Sequence, residues 1–192
     1  MKSVGLTGSI GAGKSAAVAW LGAHGVAVHD ADAAVHQIYG ELESMGWLTA
    51  HFPAAMAGGQ LDRSKMSEII YQNPDARKKL EAFVHPKVIR HREQFVKDAR
   101  KHKKPLVVCD IPLLFETSAE KEFDEVWLVT APDAVRRARV LARYGMTAEK
   151  LAHIEAAQMP QSEKIRRATH VIDNGSTLEH LYEQLACLIG QK

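Results

Sequence analysis

Residues 5–15 of the chain read GLTGSIGAGKS and combine four glycines with one lysine, directly behind a short apolar segment. Gly8, Gly13, Lys14 and Ser15 match the phosphate-loop pattern G-x-x-x-x-G-K-[ST] in full. Glycine adopts backbone angles that are closed to other residues, so successive N–H groups can turn inward and surround anionic oxygens. A plain glycine turn is the alternative, but it does not require the lysine and serine. The stretch therefore predicts a strand, a phosphate-binding loop and a helix.

The residues around the loop predict what it binds. A strand over residues 3–7 and a helix over residues 14–24 place the positive end of the helix dipole beside the loop. The Lys14 ammonium can reach the β- and γ-phosphates of a nucleotide, and the Ser15 hydroxyl can ligate Mg²⁺. We expect the loop to hold a nucleoside triphosphate, which leaves hydrolysis, transfer and switching open.

The composition excludes several other classes of protein. A chain of 192 residues fits one domain, or one domain with a large insertion. The net charge of +2 is too small to argue for a nucleic-acid partner. No run approaches the roughly 18 apolar residues of a membrane span, and residues 5–15 interrupt any signal-peptide core. Cys109 and Cys187 lie in apolar runs, which suits buried free thiols in a reducing compartment. We expect a soluble cytoplasmic protein; the sequence does not specify its oligomeric state.

Short apolar segments alternate with helical patterns along most of the chain. Such alternation predicts a parallel sheet that is covered by helices on both faces. The predicted strands are residues 3–7, 25–30, 106–112, 124–130 and 169–174, and the predicted helices include residues 14–24, 133–143, 147–157 and 177–189.

One segment departs from this alternation. Residues 40–104 show helical patterns, no convincing strand, and interruptions at Pro74 and Pro86. We interpret the segment as a helical insertion between the second and third strands. Its many lysines and arginines are either solvated helix faces or the wall of a cleft that attracts phosphates.

The chain lacks the N-K-x-D and D-x-x-G motifs that are typical of switching GTPases. A small-molecule kinase, a hydrolytic module and a nucleotide sensor remain, and the short chain with its insertion favours a kinase with its own acceptor pocket. Asp30 and Asp32 directly follow the second strand, where ligands bind at the carboxyl ends of parallel strands. A carboxylate there can deprotonate an acceptor hydroxyl or cap a helix. Of the two, Asp32 is the better catalytic candidate.

A run of arginines and one further aspartate extend the candidate site. Arg136, Arg139 and Arg143 recur at helical spacings, and a break at YGMT follows Arg143. The run is either a hinged lid that supplies cationic donors to ATP or a solvated basic helix. Asp110 ends the strand LVVCD in the manner of a Walker B strand. It either holds a water on Mg²⁺ or caps a turn.

Six segments, in this order, resemble those of dephospho-CoA kinases along nearly the whole chain. They read GLTGSIGAGKS, VAVHDADAAVH, GGQLDRSKMSEIIYQNP, LEAFVHPKVI, VVCDIPLLFE and VIDNGS. The resemblance implies an α/β three-layer P-loop kinase fold with a five-stranded parallel sheet. Residues 1–39 and 105–192 would form the nucleotide-binding core, with a small helical lid at about 136–160. Residues 40–104 would bind the acceptor. A shikimate- or gluconate-type kinase would not require the H-P and L-D-R segments.

The resemblance also implies the reaction and its residues. ATP and dephospho-CoA would give ADP and coenzyme A, the last step of CoA biosynthesis, by transfer of the γ-phosphoryl group to the ribose 3′-hydroxyl with Mg²⁺. The implied residues are Asp32 as base, Lys14 and Arg139 in catalysis, Gly11, Ala12, Gly13, Lys14, Ser15, Ala16 and Arg143 for ATP, Asp62, Arg63, His85 and Leu113 for the acceptor, and Ser15 and Asp110 for the metal.

Three positions depart from the family pattern. Ser9 stands where the family favours glycine, and Arg136 stands where it often has glutamine. Thr169 and His170 replace a usual Ala-Asp pair, which we expect near the adenine of ATP. These departures bear on nucleotide contacts rather than on the chemistry.

Overall fold

The computed structural model describes residues 1–190, which include a five-stranded parallel sheet in the order β2-β5-β1-β6-β7. Its strands are β1 (Lys2–Gly8), β2 (Ala27–Asp30), β5 (Leu106–Asp110), β6 (Glu125–Thr130) and β7 (His170–Asp173), and a separate pair is formed by β3 (Met56–Ala57) and β4 (Gln60–Leu61). The helices are α1 (Lys14–Ala23), α2 (Ala31–Gly40), α3 (Leu42–His51), α4 (Arg63–Gln72), α5 (Pro74–Lys101), α6 (Asp133–Leu141), α7 (Ala148–Ala156), α8 (Gln161–Arg167) and α9 (Leu178–Leu188), with 3₁₀ turns at Pro53–Ala55 and Ala119–Glu122.

Strand β1 lies at the centre of the sheet and is buried from Val4 to Gly8. Val4 and Leu6 are fully buried, and the strand pairs in parallel with β5 and β6. The largest apolar core joins the sheet to α1 and α9, whose Leu21 and Leu181 are also fully buried. The predicted α/β class with a five-stranded parallel sheet is confirmed. The loop after β1 is thereby fixed between the central strand and a core helix.

The structure corrects several predicted boundaries in this part of the chain. The third predicted strand ends at Asp110 and not at Pro112, because proline has no N–H to continue the ladder. Helix α6 ends at Leu141, two residues before the predicted Arg143. Helix α8 was not predicted. Cys109 is buried as expected, but Cys187 is exposed on α9. Residues that are adjacent in sequence point to different sides of a helix, so an apolar run does not place every member in the core.

The chain divides into two compact units, one made of residues 1–30 with the chain from Val96 onward, and one made of Ala31–Phe95. The second unit has its own apolar core, in which Leu48, Leu80 and Val84 are buried. Among the described residues, no helix combines the length and the apolar character that crossing a membrane requires.

The second unit differs from the prediction in two respects. It contains the short antiparallel pair β3–β4, joined at Gly58 and Gly59 with φ of 57° and 76°, the backbone that a tight hairpin requires. Pro74 begins α5, where its missing N–H leaves no bond unmade. Pro86 lies inside α5 and does not end the helix, since the packing of Leu80 and Val84 into the core offsets the lost hydrogen bond.

Candidate active site

The backbone of the loop between β1 and α1 has the shape that the glycine pattern predicts. Gly11 and Gly13 adopt φ of 80° and 88°, in the left-handed region that favours glycine. A Cβ atom on Gly11 would lie 2.5 Å from the carbonyl oxygen of Arg136, and one on Gly13 would lie 2.1 Å from Nδ2 of Asn174. Both conformation and space therefore require glycine at these two positions.

The outward-facing polar groups of the loop are bound by three side chains. Arg136 Nη1 donates to the Ile10 carbonyl at 2.9 Å, and the Ile10 N–H donates to Oε1 of Gln158 at 3.1 Å. Asn174 Nδ2 donates to the Ala12 carbonyl at 2.8 Å. Within the loop, the Ala12 N–H donates to the Ser9 carbonyl at 3.0 Å. The amides that would bind an anion in the concave face are therefore others of the loop.

Lys14 and Asp110 form the charged pair of the site. Lys14 begins α1, and its ammonium makes an ion pair with Oδ1 of Asp110. Asp110 is the last residue of β5 and lies in register with Leu6 of β1 and with Asp30 of β2. The sheet thus places this carboxylate at its carboxyl edge beside the loop. Both side chains are largely buried, so the ion pair fixes the position of the Lys14 ammonium.

The oxygen donors at this edge suit magnesium. Ser15 is exposed in the first turn of α1, and Asp110 supplies a carboxylate. Mg²⁺ prefers oxygen ligands, keeps several waters and takes few ligands from the protein beside nucleotide phosphates. Within residues 1–190 no group of three or more His, Cys, Asp or Glu side chains could hold a metal ion by itself. A hydroxyl and a carboxylate therefore fit a metal that arrives with ATP.

The three arginines of the predicted lid lie in three different environments. Arg136 is only 6% exposed and also pairs with Oδ1 of Asp133 at 2.7 Å, so it braces the loop. Arg139 is half-buried, and its Nη1 donates to the Asn174 carbonyl at 2.9 Å. Arg143 is exposed beyond the end of α6. Arg139 and Arg143 are thus more exposed than Arg136.

The candidate base lies in the second unit. Asp32 is exposed in the first turn of α2, two residues after the end of β2, and its carbonyl oxygen is 3.3 Å from Nδ1 of His36. Asp32 therefore directly follows a strand whose last residue, Asp30, stands in register with Asp110. The chain connection keeps it close to the carboxyl edge of β2.

Two predicted acceptor residues adjoin each other at the start of α4. Asp62 caps the helix, because its Oδ1 accepts a hydrogen bond from the N–H of Lys65 at 3.1 Å. The Arg63 guanidinium contacts Nδ1 of His36 and lines a cavity of about 400 Å³ together with Tyr39. Burial raises the pKa of the Tyr39 hydroxyl, and the charge of Arg63 partly opposes that shift.

The other two predicted acceptor residues lie elsewhere. His85 is exposed on α5 and does not line the cavity beside Arg63. Leu113 is half-buried in the turn after β5, in the first unit. Within the second unit, the structure thus brings Arg63 together with His36 and Tyr39, but not with His85.

The family model for dephospho-CoA kinases matches residues 2–180. The chain belongs to the dephospho-CoA kinase family. A curated dephospho-CoA kinase of Rhodopseudomonas palustris strain HaA2 is 46% identical over 185 residues, which are 96% of this chain and 92% of the relative. The family predicted from the six sequence segments is confirmed.

Solved structures support the same fold. A crystal structure of a Thermus thermophilus protein matches with a TM-score of 0.81 at 38% identity, covering 98% of this chain and 96% of that one. The dephospho-CoA kinase of Campylobacter jejuni matches with a TM-score of 0.71 at 23% identity, covering 98% and 96% of the two chains. At that identity the second match concerns the fold alone. The predicted P-loop kinase fold is confirmed.

The structure adds residues to the dephospho-CoA kinase site that the sequence did not assign. Gln158 and Asn174 contact the phosphate loop from 148 and 162 residues away in the chain. Asn174 lies in the VIDNGS segment that carried the resemblance, which was the available signal. No local pattern marks Gln158.

A buried ion pair behind the site was also not predicted. Lys164 is fully buried on α8, with its Nζ 2.8 Å from Oε1 of Glu116. Burial opposes ionisation of the Glu116 carboxyl, but the bonds from Lys164 and from the N–H of Met159 outweigh it and lower the pKa of Glu116. The pair joins α8 to the segment after β5.

The residues that depart from the dephospho-CoA kinase pattern lie in different parts of the structure. Ser9 is buried in the loop, and Arg136 is the residue that binds the Ile10 carbonyl. The Thr169 hydroxyl accepts a hydrogen bond from the N–H of Val126 at 3.0 Å, and His170 begins β7. Because all five strands are parallel, this pair lies at the amino edge of the sheet, opposite to the phosphate loop. That it lies near the adenine of ATP stays a prediction.

Proposed function

We propose that the chain transfers the γ-phosphoryl group of ATP to the ribose 3′-hydroxyl of dephospho-CoA, the final step of CoA biosynthesis. The observation that carries the proposal is the match of the dephospho-CoA kinase family over residues 2–180. The phosphate loop with Lys14 supplies the nucleotide half of such a reaction. Phosphoryl transfer needs positioning and charge neutralisation more than covalent chemistry, and the site has residues for both tasks.

The nucleotide half consists of the loop and its charges. The backbone N–H groups of residues 11–16 would bind the phosphate oxygens of ATP, with the dipole of α1 behind them. Lys14 would exchange Asp110 for the β- and γ-phosphates and stabilise the charge that develops on the bridging oxygen. Ser15 and Asp110 would hold Mg²⁺, which neutralises phosphate charge when bound. The Asp110 carboxylate would bind the Mg²⁺ ion directly or through a water molecule.

The acceptor half rests on Asp32 and on the insertion. Asp32 would accept a hydrogen bond from the 3′-hydroxyl and take its proton as the oxygen attacks the γ-phosphorus. Arg63 would pair with a phosphate of dephospho-CoA. Asp62 caps α4, which begins at Arg63, and we keep Asp62, His85 and Leu113 as proposed acceptor contacts.

The remaining donors come from the lid. Arg139 would neutralise charge on the transferred group, and Arg143 would reach ATP when the segment around residues 136–160 closes. Residues 40–104 are proposed as the acceptor-binding insertion. A cytoplasmic location stays a prediction, in accord with the free thiols of Cys109 and Cys187.

An acceptor panel tests this proposal against other kinases of the fold. The purified chain is given Mg²⁺ and ATP with dephospho-CoA, shikimate, gluconate or no acceptor, and ADP formation is followed. We expect turnover with dephospho-CoA alone. Turnover with shikimate or gluconate, or ADP formation at the same rate without any acceptor, would contradict the proposal.

A further inference from the structure

A phosphate loop can offer its N–H groups to an anion only if its outward-facing polar groups find other partners, because unpaired buried backbone groups are destabilising. Ile10 is the residue at which this requirement is sharpest. Its carbonyl accepts from Arg136 Nη1 at 2.9 Å, and its N–H donates to Gln158 Oε1 at 3.1 Å. Ser9 and Gly11 on either side of it are buried, and Ile10 itself is half-buried.

The two partners of Ile10 are attached to the loop in different ways. Arg136 lies on α6 and is also bonded to Asp133. Its own carbonyl oxygen lies 2.5 Å from the place where a Cβ on Gly11 would be. Helix α6 therefore packs against the loop through both backbone and side chain, and we treat the two as one rigid piece.

Gln158 belongs to the connection between α7 and α8, defined here as residues 157–160, and it meets the loop through one hydrogen bond. A cavity of about 520 Å³ lies beside this contact, lined in part by Ser9, Arg137 and Gln158. Helix α7 adds one buried residue, Leu151, and a salt bridge of 3.0 Å between its Glu155 and Arg137. The neighbouring Met159 anchors the connection, because its N–H donates to Oε1 of Glu116 at 2.8 Å and its side chain packs on the core around Phe115. Gln158 itself has open space beside it and contacts the loop through its side chain alone.

We propose that Gln158 is a positioning residue that couples the connection between α7 and α8 to the phosphate loop through the N–H of Ile10. When the connection is seated, Gln158 orients Ile10 and the amides after it for phosphate; when it moves away, the loop loses that constraint. The inference rests on the proposed function only in taking ATP as the ligand of the loop. Because coupling between sites is reciprocal, ATP bound to the loop also favours the seated connection.

The test compares two substitutions of one side chain. Gln158→Leu removes the acceptor oxygen at nearly constant size, whereas Gln158→Glu keeps an acceptor for the N–H of Ile10. The charges that line the cavity beside it are two arginines and two carboxylates, Arg136, Arg137, Asp133 and Glu155. Leaving the N–H unpaired is expected to weaken ATP binding by about 5- to 100-fold, while Gln158→Glu retains most of the affinity. At saturating ATP, kcat should change much less than the Kd.

Gln161→Leu is the matched control. Gln161 lines the same cavity, but its amide donates to the Ala131 carbonyl at 3.3 Å and not to the loop. The Kd for ATP is measured by calorimetry without acceptor, and amide hydrogen exchange of residues 9–13 is measured without nucleotide. We expect faster loop exchange in Gln158→Leu only, with melting temperatures close to wild type because Gln158 is a half-buried turn residue.

Three results would overturn the inference. They are wild-type affinity and loop exchange in Gln158→Leu, an equal loss in Gln161→Leu, and failure of Gln158→Glu to retain affinity. The readout is independent of the acceptor. A wild-type chain that binds ATP but does not phosphorylate dephospho-CoA would therefore contradict the proposed function, while the comparison of Gln158 variants would still decide the coupling.

Discussion

Replacing Gly13 with alanine puts a methyl group into the most crowded point of the phosphate loop. Gly13 has φ of 88°, and the added Cβ would lie 2.1 Å from Nδ2 of Asn174. The Asn174 amide cannot move aside without losing a hydrogen bond, because Asn174 is 2% exposed and its amide donates to the Ala12 carbonyl. The substitution therefore combines backbone strain at residue 13 with loss of the hydrogen bond from Asn174 to the Ala12 carbonyl.

The two effects can be sized separately. A non-glycine residue in the left-handed region costs about 1–2 kcal/mol. Displacing the Asn174 amide leaves the buried Ala12 carbonyl without its partner, which costs about 1–3 kcal/mol. Together they predict that Gly13→Ala lowers the free energy of unfolding by about 2–5 kcal/mol.

Gly25→Ala provides the matched control. Gly25 has φ of 78° at the end of α1, and a Cβ there would meet no atom within 4 Å. It should lose only the strain of about 1–2 kcal/mol. Urea unfolding of both variants, with calorimetric titration of ATP, separates the terms: Gly13→Ala should lose more stability and bind ATP much more weakly, while Gly25→Ala binds it as the wild type does. Equal destabilisation in both variants with intact ATP binding would refute the reasoning.

Four further changes test other parts of the account. Lys14→Ala should lower kcat by about 10²- to 10³-fold with the fold retained, and activity equal to wild type with matched melting curves would reject the phosphate-loop assignment. Asp32→Asn keeps the shape but cannot take a proton, so kcat should fall by about 10²- to 10⁴-fold with little change in KM for ATP; intact kcat with lost stability would make Asp32 a structural residue only. Arg63→Ala should raise KM for dephospho-CoA by about 10- to 150-fold and leave KM for ATP unchanged, and the reverse split would place Arg63 on the nucleotide side. The pKa of Glu116 is lowered by Lys164 in the folded state, so the ionised carboxylate stabilises the fold above the ordinary glutamate pKa, and this contribution is lost as the pH falls through the lowered value. In Glu116→Gln the free energy of unfolding should therefore decrease less steeply with falling pH than in the wild type. An unchanged dependence on acid pH would contradict this.

Local sequence was sufficient for the phosphate loop and for the sheet. The loop depends on glycines and a lysine within residues 8–15. Its positive φ angles are at Gly13, which belongs to the pattern, and at Gly11, which is an additional glycine. The three inner strands β5, β1 and β6 are buried on both faces over most of their length, so each includes a recognisable apolar segment. The substrate, by contrast, came from resemblance and not from the chemistry of individual residues.

The features that the sequence did not predict depend on long-range packing. Strands β3 and β4 have two residues each, too few to show alternation, and only Gly58 and Gly59 mark their turn. Pro86 indicates a helix break by local rules, and tertiary packing of α5 overrides it. Gln158 reaches the loop across 148 residues of chain. Such contacts carry no signature at either position, because the fold alone brings them together.

The most direct measurement is the structure of the product. The chain is incubated with Mg²⁺, ATP and dephospho-CoA, and the products are separated and examined by ³¹P NMR and by ADP quantification. The account predicts one ADP for each coenzyme A formed, with the new phosphate on the ribose 3′-oxygen. Phosphate on another oxygen of dephospho-CoA, or ADP released with free phosphate while dephospho-CoA stays unchanged, would contradict it.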